Sequence, residues 1–253
     1  MVDSSIELAG DWKVVSQSNH DVLTDGVDWL KVAYDDSSKA HRLIRNEIEI
    51  FDSIGIDVRQ VEYKGRIGHV TPHLGEPVDP QRFDPNSVLT LMDRLWATVP
   101  EEALDLPRAF ELGEIVRQRV ESRVDDLDYR NELISRIPRS ISYDLDSPIG
   151  LCHTDLHAGN ILTARDGIVI IDWESAMYGS REIYQSSLMY SLWLSGRRSD
   201  ALRIGARTPE AQHFIVAKAV SAASWAYAHS GREASDARLQ AGLSLLEALV
   251  NHE

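Results

Sequence analysis

The sequence predicts an α+β chain in two lobes: a small β-rich lobe with one helix, then a larger, mostly helical lobe. Three observations predict it. Runs rich in β-branched and aromatic residues, separated by turn residues, occupy the stretch before Pro72 and flank a single helical pattern. From Asn86 onward, apolar residues recur three and four positions apart. One β-rich interlude, 149–172, interrupts that helical half. The implied division is 1–74 for the first lobe and 75–253 for the second.

In chain order, Trp12, Val14 and Val15 mark a first strand and 27–33 a second. Thr24, Asp25 and Gly26 supply a hairpin turn between them, where Gly26 can take a positive φ. Ser37 or Ser38 caps a helix reaching about Ile54, with Leu43, Ile44, Ile48 and Phe51 at helical spacing and Gly55 closing it. Strands near 57–63 and 66–71 follow, and the Pro72 to Pro77 segment breaks the pattern. Helices are expected at 87–98, 106–123 and 126–137. A hairpin through Arg165, Asp166 and Gly167 joins the runs 160–163 and 168–171. The late helices are expected at 182–195, 209–229 and 234–250, with Trp193, Trp225 and Tyr227 as core residues.

Composition excludes several classes. The 253 residues hold 40 acidic and 26 basic side chains, a net charge of −14, which argues against a nucleic-acid partner. The lone cysteine, Cys152, excludes an internal disulfide framework or a multi-cysteine zinc site and reads as a buried filler. The stretch from Phe214 to Tyr227 is broken by Lys218 and is too short to span a membrane, so it reads as a buried helix. With no signal-peptide pattern after Met1, the expected location is the cytoplasm, and no feature sets an oligomeric state.

The densest polar cluster runs from Cys152 to Leu162 and is followed by Ile171, Asp172, Trp173 and Glu174. A hairpin between Asn160 and Asp172 would bring Asp172 back to the loop that holds Asp155. Asn and Asp oxygens suit Mg²⁺, and a carboxylate left free can orient a hydroxyl and accept its proton. The run His153, Asp155, His157 also has the residue types of a transition-metal site or a metal-dependent hydrolase.

The spacing His153-x-Asp155-x-x-x-x-Asn160, followed by Ile171-Asp172-Trp173, resembles the catalytic and metal-binding segments of the aminoglycoside phosphotransferase/choline kinase family. The resemblance implies a protein-kinase-like fold and transfer of phosphoryl from ATP or GTP to a hydroxyl of a small molecule. It makes Asp155 the catalytic base, Asn160 and Asp172 the holders of Mg²⁺, and His153 a brace for the loop. Upstream, Lys31 takes the position of the phosphate-binding lysine and Glu47 that of its ion-pair partner. Ser16 to Asn19 occupy the phosphate-loop position, where the side chains of Ser16, Ser18 or Asn19 would share the work of backbone amides. Thr71, Pro72 and His73 would form the hinge against the base, with Gly75 just beyond. His157 and Glu174 are candidate contacts to substrate or to the metal's surroundings.

The chain departs from the family at 179–184, where only Gly179 remains of a segment that usually steadies the lobe. The family's acceptors include aminoglycosides and other antibiotics, choline-like alcohols and sugars. The run from Glu101 to Asp128 holds nine acids against four arginines, which leads to the expectation of an amino-bearing antibiotic and a role in resistance or self-protection. A metabolic kinase for a sugar or choline-like alcohol, and a catalytically silent kinase-like binding protein, are the alternatives.

Overall fold

The computed structural model describes residues 6–7, 12–17, 20–99, 104–138, 148–165 and 167–251. The first lobe is a six-stranded sheet ordered β1-β5-β6-β4-β3-β2. Its strands are β1 (Ile6–Glu7), β2 (Lys13–Gln17), β3 (His20–Thr24), β4 (Asp28–Ala33), β5 (Arg59–Tyr63) and β6 (Arg66–Pro72). Leu23, Leu30, Val32, Val61 and Val70 form one buried apolar face of the sheet. Helix α1 (Ser38–Ser53) packs Ala40 and Ile44 with Ala33 in a second small cluster. Ser37 caps α1 by accepting a hydrogen bond from the Ala40 N–H at 3.2 Å, and Gly55 follows the helix at φ 76°.

One strand of this lobe differs from the sequence reading. The turn at 24–26 joins β4 to β3, a strand the reading omitted, rather than to the run at 12–15. His20 and Asp21 disguise β3 as polar loop. In the fold His20 is buried and Asp21 pairs with Arg66 across the sheet at 2.5 Å. Only tertiary partners make such a strand favourable.

A two-residue strand, β7 (Glu76–Pro77), follows β6 after a short connection, then α2 (Pro85–Thr98), α3 (Leu112–Arg123) and α4 (Leu127–Arg136). The expected helix at 106–123 begins later, with a 3-10 turn at Ala109–Glu111, because Tyr178 N–H bonds to Pro107 O and the extended Arg108 forms a β-bridge to Tyr178. The interlude supplies β8 (Gly150–Cys152), β9 (Ile161–Ala164), β10 (Gly167–Ile170) and β11 (Met177–Gly179), with β9 and β10 in the expected hairpin. Asp166 of its turn lies outside the described residues.

The chain ends in α5 (Arg181–Leu194), α6 (Arg198–Ile204), α7 (Pro209–Ser230) and α8 (Arg232–Asn251). Helix α6 was not expected; seven residues are too few for periodicity to separate it from loop. Helix α7 is the centre of this lobe, with α3, α5 and α8 packed around it. Phe214, Ile215, Ala219, Val220 and Ala223 are buried along it, and full burial of a side chain such as Phe214 contributes about 2 kcal/mol. Trp225 departs from its expected core position: it is 48% exposed and stacks on His229.

The segment 179–184 is held against α2. Gly179 O accepts from Trp96 Nε1 at 2.9 Å, and Tyr184 OH donates to Asp93 Oδ1 at 2.6 Å. Cys152 is fully buried against Gly179 and Ser180, and burial raises its thiol pKa well above the ordinary value.

Candidate active site

Strand β8 delivers the chain to His153, which has no solvent exposure. Its Nδ1 accepts the Asp155 N–H at 3.1 Å and its Nε2 lies 3.0 Å from Ile171 O. Those two bonds require the neutral Nε2–H tautomer, and burial pushes the imidazole pKa down to about 4. With both nitrogens engaged, His153 cannot serve a His153–Asp155–His157 metal site. His153 thereby ties the Asp155 loop to the end of β10.

The register of the hairpin explains the meeting of Asn160 and Asp172. Ile161 pairs with Ile170, so Asn160 faces Ile171, and Ile171 N–H bonds to Asn160 O at 3.0 Å. Asp172 is the next residue. Asn160 Nδ2 donates back to Asp155 O at 3.1 Å, closing the loop and leaving its own amide oxygen free of that bond. Asp172 sits at φ 63°, a left-handed conformation that costs a non-glycine residue about 1–2 kcal/mol and turns the chain abruptly after β10.

Lys31 on β4 reaches this turn from the other lobe. Its Nζ lies 2.8 Å from Glu47 Oε2, 2.8 Å from Asp172 Oδ1 and 3.2 Å from Glu174 Oε1. Burial opposes the ammonium charge, but the three carboxylates outweigh it and hold the Lys31 pKa well above its usual value. Glu47, mid-helix in α1, also meets His69 Nε2 at 3.2 Å and accepts the Trp173 N–H at 3.3 Å. Burial would raise its pKa, yet Lys31 and His69 hold it well below the usual carboxylate range. Asp172 is the group left under strain: burial and the charges of Glu47 and Glu174 push it up to about 6 against the pull of Lys31. A divalent cation on the Asp172 and Asn160 oxygens would relieve that crowding of carboxylates, so the donor set fits a hard, oxygen-seeking ion such as Mg²⁺.

Asp155 is engaged as well. Lys218 Nζ donates to Asp155 Oδ1 at 2.5 Å and to Thr154 O at 2.8 Å. Burial works to raise the Asp155 pKa, but Lys218, with His157 and His153, holds it below the usual value. His157 Nε2 lies 3.8 Å from Asp155 Oδ2 at the rim of the cleft.

Ser18 and Asn19 lie outside the described residues. Thr71 is buried opposite Trp29, so its side chain is covered, whereas His73 is half-exposed and stacks on the Trp29 ring at 5.9 Å. Pro72 ends β6, and His73 N–H is already bonded to Val27 O at 3.1 Å. The sequence reading missed four partners. His20 pairs with Glu174, His69 with Glu47, Lys218 with Asp155, and Arg119 reaches the same cleft. Lys218 alone carried a signal, as a single lysine in an otherwise apolar helix.

Between the lobes and the helices lies a cleft of about 950 Å³ lined by Asp155, Glu174, Tyr34, Arg119, Lys218 and Trp225, among others. Among the described residues no helix is long and apolar enough to cross a membrane.

Comparison with known proteins identifies the fold. The model of the Phosphotransferase enzyme family matches residues 76–183. A thermostable mutant of aminoglycoside phosphotransferase APH(4)-Ia superposes with a TM-score of 0.66 at 12% identity, over 94% of each chain. The choline kinase of Cryptosporidium parvum gives 0.65 at 13% identity, over 96% of this chain and 90% of that one. A ternary complex of APH(4)-Ia with ADP and hygromycin B gives 0.62 at 10% identity, over 94% and 93%. A search of curated sequences returns no match. The fold is therefore that of these small-molecule kinases. The matched stretch, 76–183, includes Asp155, Asn160 and Asp172.

Proposed function

We propose that the protein transfers the γ-phosphoryl group of ATP or GTP to a hydroxyl of a small molecule bound beside Asp155. One observation carries the reading. Lys31, from the first lobe, lies 2.8 Å from both Glu47 and Asp172, so the sheet's lysine and the hairpin's aspartate meet at one point. Lys31, held by Glu47, contacts the donor's inner phosphates. His73 and the backbone around it border the base. Asn160 and Asp172 would hold Mg²⁺, which supplies charge neutralisation on the phosphate oxygens when bound.

Asp155 accepts a hydrogen bond from the acceptor hydroxyl and aims its oxygen at the phosphorus. Its depressed pKa keeps it ionised at neutral pH, and proton transfer is completed as the oxygen–phosphorus bond forms, as suits a loose phosphoryl-transfer transition state. His153 holds the Asp155 backbone in place, and Glu174 braces Lys31. The intact Lys31–Glu47–Asp172 linkage supports turnover over a silent binding role. In Asp155→Ala, turnover should fall by about 10²–10⁴ with Mg·ATP affinity retained. A variant that keeps near wild-type turnover refutes the assignment.

The amino-bearing antibiotic expected from the 101–128 charge balance loses that support. The described acids of the segment, including Glu114, Glu121 and Asp125, are exposed, while its Arg119 and Arg123 line the cleft.

A further inference from the structure

The cleft beside Asp155 is basic, although the chain as a whole carries a net charge of −14. Lys39, Arg119, Arg123, Lys218 and Arg238 line it against two carboxylates, Asp155 and Glu174. Both carboxylates are already engaged, Asp155 by Lys218 and Glu174 by His20 and Lys31.

Arg119 and Arg123 are the unusual pair. They stand one turn apart on α3, on the side that also carries the buried Val116 and Val120. Both are partly buried, and among the described residues neither is held by a carboxylate in an ion pair. Arg119 donates from Nη1 to Ser221 Oγ at 3.4 Å, a long and neutral contact. Burial lowers both guanidinium pKa values, and the charge of Arg123 adds to the effect on Arg119. Two guanidinium groups held close together and partly out of water are unfavourable alone. An anion that accepts from both forks removes that penalty. Ser122, Ser221 and Trp225 line the same cleft and offer hydroxyls and an aromatic face to the rest of such a molecule.

We propose that the acceptor carries an anionic group, a carboxylate or a phosphate or sulfate ester, which Arg119 and Arg123 grip while its hydroxyl faces Asp155. The proposal names the substrate class of the phosphotransferase site and rests on that reading. Arg119 and Arg123 lie within the helical lobe on α3, whereas Lys31, assigned to the donor, lies on β4.

The test titrates sodium sulfate into the full-length protein saturated with Mg·ADP, at ionic strength held constant with sodium chloride, and reads binding by calorimetry. Wild type and the control Arg117→Gln, whose side chain pairs with Glu114 on the same helix, should bind sulfate saturably. Arg119→Gln/Arg123→Gln should bind it at least about tenfold more weakly through loss of charge-assisted hydrogen bonds, with ADP affinity unchanged. Arg123→Gln alone, at the less buried position, gives the same reading if the double variant does not fold. The proposal is overturned if wild type binds sulfate no better than chloride, or if the variants bind it as well as wild type does. Weakened ADP binding in the variants also overturns it, by placing the arginines on the donor's phosphates. If wild type does not bind Mg·ADP, the phosphotransferase reading fails instead, and the same titration on nucleotide-free protein still decides the anion site.

Discussion

Replacing Lys31 with methionine keeps the length of the side chain and removes the one charge that three carboxylates share. Glu47 is 2% exposed, and without Lys31 its remaining partners are His69 Nε2 at 3.2 Å and the Trp173 N–H at 3.3 Å. Stranding a buried carboxylate in this way costs about 3–5 kcal/mol, a large part of the ~5–15 kcal/mol that holds a domain folded. The sign with pH is fixed by which effect wins on Glu47. In wild type the folded pKa lies below its ordinary 4.5, so its contribution is present at neutral pH and is lost as pH falls below that value. In Lys31→Met burial wins and the folded pKa lies above 4.5, so stability falls as pH rises through the new value. The deficit of the variant should therefore widen from pH 5 to pH 8. Urea unfolding of both proteins at the two values measures it, and equal slopes against urea ensure that the same unfolding is compared. A deficit under about 1 kcal/mol at pH 8, or one that narrows as pH rises, refutes the reasoning.

Three further outcomes are expected. His153, pushed down to about 4 against an ordinary 6.5, contributes stability that is full above pH 6.5 and lost as pH falls toward 4, about 3 kcal/mol in all; in His153→Gln, unfolding curves should lose that part of the pH dependence. Lys218→Met removes the strongest force lowering the Asp155 pKa, so the acidic limb of the kcat/KM profile should move to higher pH, and an unmoved limb excludes Asp155 as the titrating base. Gly75 has φ 134°, and a Cβ there would fall 2.1 Å from Thr163 O, so Gly75→Ala should lower stability by about 2 kcal/mol or more in thermal or urea unfolding.

The convergence of the loop residues was legible because it is local. Asp155, Asn160 and Asp172 are linked by one short loop and one hairpin, and a two-stranded register returns the last to the first without help from distant chain. The lysine and its glutamate were legible by order along the chain, as a strand followed by a helix. His20 and Lys218 were not, because each acquires its role only from a carboxylate 154 or 63 residues away, respectively. Strand β3 was hidden for the same reason, since His20 and Asp21 look like loop until Glu174 and Arg66 are beside them.

The acidic run at 101–128 is the most instructive case. Counting its charges suggested an acceptor of positive charge. The face of α3 decides otherwise, because Arg119 and Arg123 fall in phase with the buried Val116 and Val120, while the described acids fall on the solvent side. The helical period was readable in the sequence. Which face met the cleft was not.

Local periodicity and short connections in the sequence set the β-rich and helical halves, the order of the candidate site residues and the hairpin that joins Asn160 to Asp172. Which charges face each other across the cleft is set by the packing of distant segments. Coulombic partners are chosen by distance in space, and a net charge of −14 says nothing about where five basic side chains converge.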